Sequence, residues 1–198
     1  MTPLETVLCE PATRAAPALL GCLVRHGGVV VRLTEVEAYE GPDDPASHAF
    51  GGPTRRTAIM FGPAGRLYVY FSYGMHWCAN VVCRPDGSAS AVLLRAGEVV
   101  SGLPTARERR GARVPDKRLA TGPACLTQAL GIAAAAAGAD LLGSGPVHLL
   151  PADTGTGRVR SGPRIGVSRA ADRPWRFWID GEPSVSAYRR SPRAVDGW

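Results

Sequence analysis

Two periodicities divide the chain. Between Ala12 and Val24 the Leu, Ala and Val residues recur at helical spacing, predicting a short helix whose start Pro17 perturbs. The stretch Gly122-Pro-Ala-Cys-Leu-Thr-Gln-Ala-Leu-Gly131 repeats the signal, with Leu126 and Leu130 one turn apart, Pro123 in the first turn and Gly131 as the stop. Elsewhere apolar and polar residues alternate, as on a half-buried strand. Val29–Tyr39 is the longest such stretch. After a solid Val29-Val-Val31, it places Leu33, Glu35, Glu37 and Tyr39 on one face and Thr34, Val36 and Ala38 on the other. Further strands are predicted over Leu67–Ser72, up to Val81-Val-Cys83, over Ser90–Arg95, at Leu149-Leu150, over Arg164–Val167 and over Trp175–Ile179. Gly- and Pro-rich turns separate them: His26-Gly-Gly28, with His26 read as solvated, Gly41–Pro45, Gly51–Pro53, Met60–Gly65 and the hairpin Arg84-Pro-Asp-Gly87. Residues 1–10 are expected to be a loose lead-in and those beyond Val185 a polar tail. No repeat or linker interrupts residues 1–198, so one domain is expected.

Two of these strands carry unusual side chains. Arg66–Asn80 holds three of the five tyrosines, with His76, Trp77 and the amide of Asn80. As a strand, its first half points Tyr68 and Tyr70 one way and Val69 and Phe71 the other, so one face offers polar-tipped rings while the opposite face feeds a core. A buried tyrosine hydroxyl needs a partner, and packing alone rarely gathers so many. On Val29–Tyr39, two carboxylates share a face with a tyrosine. Buried carboxylates are costly, so this face is either wet, as on an edge strand, or functional.

Composition narrows the setting. The 198 residues, 45% apolar and 20% charged, can bury a sizeable core and do not resemble a disordered chain. No run approaches the roughly 18 apolar residues of a membrane span, and the N-terminus lacks a basic segment followed by an apolar one. Cys9, Cys22, Cys78, Cys83 and Cys125 are odd in number and match neither a disulfide framework nor metal-ligand spacing. Free thiols in a reducing cytosol follow, with no metal or cofactor expected; in a bacterium the protein would work at the nucleoid. The net charge of +6 and pI near 9.4 point to an anionic partner. Lys117 is the only lysine, so arginine carries the positive charge. A GC-rich genome produces the same bias, but arginine also suits bidentate phosphate contacts.

Glu35 or Glu37, Tyr39, His48, Tyr70, Tyr73, Asn80 and Arg95 fall on neighbouring segments between residues 35 and 95. Tyr39, Tyr70 and His48 could hold a flat heterocycle while one carboxylate activates water, as an enzyme acting on a flipped base requires. Taken singly, the tyrosines could be packing residues, His48 a loop residue and Asn80 a ladder partner. Two other classes compete: a catalytically silent nucleic-acid-binding module that stacks and grips with rings and arginines, and a sugar hydrolase using Glu35 and Glu37 as its carboxylate pair.

These residues resemble the alkyladenine (3-methyladenine) DNA glycosylase family. The resemblance is carried by Glu35-Val-Glu-Ala-Tyr39, Gly41-Pro-Asp-Asp-Pro-Ala-Ser-His48, Arg66–Asn80, Ala91-Val-Leu-Leu-Arg-Ala96, Gly122-Pro with Leu126 and Gln128-Ala-Leu130, and Arg164-Ile-Gly-Val167, in the family's order over about residues 17–188. It implies an α+β fold, one compact domain with a curved, mainly antiparallel sheet and peripheral helices. It implies Glu37 as the base that activates water against C1′, with Arg95 holding that water and the carboxylate. Tyr39 and His48 would stack on one side of the base and Tyr70 on the other. Asn80 would line the pocket and disfavour guanine, and Tyr73 would wedge into the duplex. Tyr68 receives no role and is read as structural. Arg55, Arg56 and Arg164 are candidates for phosphate contacts. The implied partner is double-stranded DNA with damaged purines, bound by a monomer away from any membrane. With Lys117 in an arginine-rich segment, Schiff-base chemistry is disfavoured and a monofunctional reaction leaving an abasic site is expected. Two positions depart from the family: Thr57 replaces a common asparagine, and Cys125 replaces a basic residue after Gly-Pro-x.

Overall fold

The computed structural model describes residues 3–152 and 155–195. Its helices are α1 (Leu4–Leu8), α2 (Ala12–Leu19), α3 (Leu103–Arg110) and α4 (Pro123–Leu130). Its strands are β1 (Leu23–His26), β2 (Val29–Tyr39), β3 (Leu67–Ser72), β4 (His76–Cys83), β5 (Ser90–Ser101), β6 (Ala120–Thr121), β7 (His148–Leu150), β8 (Val159–Gly162) and β9 (Arg176–Ile179). They form one sheet in the order β3-β4-β5-β2-β1-β7, with β6 on β5, β9 on β2 and β8 on β9, and every pairing antiparallel, so the fold is α+β.

The predicted helix from Ala12 ends early. Leu20 is already extended and Gly21 takes a φ of 81°. Leu23–His26 then pairs with β2 across Gly27-Gly28, both at positive φ, as a tight two-residue hairpin requires. His26 is no solvated turn residue, since its Nδ1 contacts the carbonyl of Leu130 at 2.9 Å. The lead-in is ordered as well: α1 buries Leu8, whose carbonyl accepts from the Arg84 N–H. Arg164–Val167 is a loop rather than a strand, because Pro163 cannot donate to a ladder and Gly166 sits at a φ of 75°.

β2 is central. One edge pairs with β5 along its length, while the other is covered by β1 at Val29–Arg32 and by β9 at Glu35–Glu37. It is therefore not a wet edge. The alternation also breaks within it. Val29, Val31 and Leu33 enter the core, and so do Val36 and Ala38, because the pairing with β5 slips at Glu35, where Thr34 and Arg95 lack partners across the ladder. Leu33 thus faces the core, away from the cavity that Tyr39 lines on the sheet's other side, correcting the strict period-two expectation.

The sheet has two unlike faces. Leu67, Val69, Ala79, Val81, Val92 and Leu94 join the main core with α2 and α4. The opposite face carries a smaller cluster of Ala49, Met60, Tyr68, Val82, Ala89 and Ala91, against which Tyr70 packs. The arginine-rich α3 is structural where its partners are seen. Arg109 reaches the carbonyls of Ala129 and Gly27, Arg110 reaches Leu119, and Arg107 forms a bidentate pair with Asp116.

The N-terminus of α2 follows Pro11 and has no side-chain cap of its own, so distant residues supply one. Buried Glu40 accepts from Thr13 N–H (2.8 Å) and its hydroxyl (2.9 Å), from Ser90 Oγ (3.2 Å) and from Arg84 Nη2 (3.0 Å). Ser90 Oγ in turn accepts from the Ala12 N–H at 2.9 Å. Glu40→Ala strips this cap and leaves Arg84 unpaired, so chemical denaturation should report a loss of roughly 2–4 kcal/mol. A change within about 0.5 kcal/mol would show that the cap is dispensable.

Candidate active site

Glu35 and Glu37 are both fully buried, yet their surroundings differ. Glu35 is saturated. Its Oε1 accepts from Arg95 Nε (3.0 Å) and Arg176 Nη1 (3.2 Å), and its Oε2 from the Ser186 N–H (2.8 Å) and hydroxyl (2.7 Å). A carboxylate so committed cannot serve as the second catalytic group of a sugar hydrolase. Glu37 is held more sparingly. Its Oε1 accepts from the Ile165 N–H at 2.7 Å and lies 3.4 Å from Arg95 Nη1, while its Oε2 accepts from the Tyr39 hydroxyl at 2.8 Å. Burial, reinforced by the charge of Glu37, pushes the Tyr39 hydroxyl well above its usual range, so Tyr39 keeps its proton and donates. Burial works against the charge on Arg95, but Glu37 and Glu35 outweigh it and hold the guanidinium charged.

Beside this network lies a cavity of about 570 Å³, within the range of small-ligand sites. Tyr39, His48, Tyr70, Asn80 and Arg95 line it, with Tyr73 at its exposed margin. The structure thus gathers these side chains, from four strands and two loops, around one space. Glu37 itself lies behind Tyr39, Arg95 and Ile165, which do line it.

His48 reaches the cavity on a loop anchored by Asp44. That carboxylate accepts from the Ala46 N–H and pairs with Arg164, whose Nη2 lies 2.8 Å from Oδ1. Arg164, expected on DNA phosphate, is only 1% exposed and stacks over Tyr39 (4.7 Å) and Trp175 (5.1 Å). This inward turn onto Asp44 makes it an internal brace. His48 Nδ1 contacts the Tyr68 hydroxyl at 3.1 Å and its ring meets Tyr70 edge-on at 4.5 Å, while Tyr68 and Tyr70 stack at 5.7 Å. Asn80 pairs across the ladder with Tyr68 and donates Nδ2 to its carbonyl at 3.1 Å, which fixes the amide.

Tyr73 sits at the β3–β4 turn with a φ of 50° and 88% exposure, beside exposed Met75 and the Phe71–Trp77 ring pair. Arg55 and Arg56 are exposed, and Arg56 lines the cavity rim. Thr57 is buried and exchanges hydrogen bonds with Thr54, knitting the loop that carries both arginines. Cys125 Sγ accepts from Arg110 at 2.9 Å, so a guanidinium stands against the position where the resemblance led to a basic side chain being expected.

Sequence reasoning missed several contributors. Tyr68 positions His48 and lines the cavity, and its shared face with Tyr70 was the available signal. Arg176, Ser186 and Ile165 act through contacts more than 125 residues from their partners on β2, which no local pattern encodes.

The family described as Methylpurine-DNA glycosylase (MPG) matches residues 6–183. A protein of Nocardia farcinica is 55% identical over 96% of this chain and 92% of its own length. One from Frankia casuarinae is 53% identical over 93% and 92%, and one from Mycobacterium tuberculosis 54% identical over 96% and 95%. Each bears the name "Putative 3-methyladenine DNA glycosylase".

Burial, with a smaller contribution from Arg56, lowers the pKa of His48 below its usual 6.5. The folded protein then resists a proton that the unfolded chain accepts. Stability from this source is complete above pH 6.5 and is lost as pH falls from there toward the folded pKa. Denaturant titrations should show a shallower loss across that window for His48→Gln than for the unaltered protein; parallel curves would refute the assignment.

Proposed function

The chain belongs to the methylpurine-DNA glycosylase family, and on that premise we propose that it excises alkylated purines such as 3-methyladenine from duplex DNA. One observation carries the chemical part of the reading: the Glu37 carboxylate is held by Ile165, Arg95 and Tyr39 at the wall of an aromatic cavity. A flipped base would enter that cavity, with Tyr39 and His48 against one side and Tyr70 against the other, once the His48 and Tyr70 rings, in edge contact at 4.5 Å, part to admit it. Stacking at about 1–3 kcal/mol per base offsets a flipping cost of a few kcal/mol. Cationic alkylpurines gain further from the electron-rich tyrosine faces, and His48, kept neutral by burial, does not oppose them.

Hydrolysis needs one activated water. Oε2 of Glu37 has a second acceptor lone pair beside its bond from Tyr39, and Arg95 supplies a cation at the same wall. Glu37 would take a proton from water as the oxygen attacks C1′, and the alkylated base would leave with the bonding pair. Contacts of this kind in an unliganded enzyme tighten when substrate arrives, which is compatible with the recessed position of Glu37. Asn80, its amide fixed by Tyr68, would present one hydrogen-bonding pattern to the base edge and reject the exocyclic amine of guanine. Tyr73 would occupy the gap in the duplex, and exposed Arg55 and Arg56 would meet phosphate.

Incubated with a duplex carrying 3-methyladenine, the protein should release the free base and leave the strand uncut until alkali is added. Glu37→Gln keeps the side chain's shape and should lower release by about 10²–10⁴-fold while damaged DNA still binds; full activity would sink the proposed chemistry. Tyr73→Ser should weaken binding to damaged duplex far more than it slows release from single-stranded substrate, and equal effects on both would remove its role as a wedge.

A further inference from the structure

The family match ends at residue 183, but the chain runs on beside the cavity. Gly166 N–H donates to the Arg189 carbonyl at 3.3 Å, Val195 N–H to the Ser168 carbonyl at 2.9 Å, and Ala171 N–H to the Val195 carbonyl at 3.4 Å. Gly166 and Ser168 both line the cavity. Between these anchors lie Arg189, Arg190 and Arg193, all exposed, in a run from Ala187 to Val195 that contains no acidic residue. The paired loop adds exposed Arg169, with Asp172 as its acidic neighbour.

A solvated basic tail would need no such placement. This one is fastened to the loop that forms the cavity wall, and the three fastening bonds use backbone atoms only. The Arg189 and Arg193 guanidinium groups take no part in them. A duplex seated at this mouth carries one negative charge per about 1.7 Å of its axis, so several phosphates must pass the segment. Arginine's planar fork suits phosphate oxygens.

We propose that residues 187–195 form a phosphate-gripping rim of the cavity, separate in sequence from Arg55 and Arg56, that holds the DNA backbone flanking the flipped nucleotide. The identity of this partner rests on the glycosylase reading, so binding and base release are measured separately. The test uses the full chain with Arg189, Arg190 and Arg193 all changed to alanine, and a duplex with a central abasic-site analogue. Affinity is followed from about 50 to about 200 mM salt, the range over which phosphate contacts dominate the dependence. The variant should bind at least about tenfold more weakly at low salt, and its log–log salt slope should be shallower by up to about 2.7, at about 0.9 per lost contact. Changing the same three residues to lysine should restore most of the slope. Release of 3-methyladenine at saturating duplex should be unchanged in both variants.

An unaltered slope would overturn the rim. So would a fall in release at saturation without a change in slope, which would mean that the segment only shapes the loop. Unaltered protein that binds the duplex but releases no alkylated purine would instead overturn the glycosylase reading, while the slope comparison would still decide the rim.

Discussion

Two carboxylates with no solvent exposure, two residues apart on a central strand, set the terms for this molecule. An isolated carboxylate in a low-dielectric interior is unfavourable by several kcal/mol even after relaxation. Glu35 and Glu37 are tolerated because compensating groups arrive mostly from outside their own strand, which contributes the Tyr39 hydroxyl. Arg95 comes from β5, Arg176 from β9, the Ile165 amide from a loop and Ser186 from beyond the last strand. Much of the topology serves this convergence. The slip between β2 and β5 falls where Arg95 sits, and β9 meets β2 at Glu35–Glu37, where β1 no longer covers the edge.

The result is a division of labour between residues of the same type. Glu35 spends its acceptor capacity on Arg95, Arg176 and Ser186 and thereby fixes the guanidinium of Arg95. Glu37 is held by fewer groups, nearer the cavity. A similar division separates the tyrosines: Tyr39 leans on Glu37 and Arg164, Tyr68 holds His48, Tyr70 offers its ring to the cavity, and Tyr73 stands in solvent.

What the sequence made legible follows from range. Val29–Tyr39, Leu67–Ser72 and the α4 segment with its flanking Pro123 and Gly131 are written in local periodicity and turn chemistry, and they form where expected. Tyr39, His48, Tyr70, Asn80 and Arg95 could be grouped because they fall on successive strands and loops that the sheet then brings to one wall. The misses share one cause. Leu23 and Val24 read as the end of a helix, and His26 as a turn, until β2 is there to pair with them, and Leu33 changes face because of a slip set by β5. Arg164 looks like surface charge until Asp44, 120 residues earlier, turns it inward. Charge and polarity in a sequence say that a partner is needed, not where it comes from.

The separation between partners has a consequence for how the protein is made. Glu35 leaves the ribosome long before Arg176 and Ser186, its partners 141 and 151 residues later, and Thr34 waits for Ser184 across 150. Loop closures on this scale slow folding, so the emerging chain carries Glu35 with Arg95 as its nearer partner long before Arg176 and Ser186 complete its neutralisation. The early strands and helices can assemble from local contacts, but the surroundings of Glu35 cannot close until Arg176 and Ser186 have been made. A product truncated before Arg176, however well its early strands pair, carries an open and charged interior.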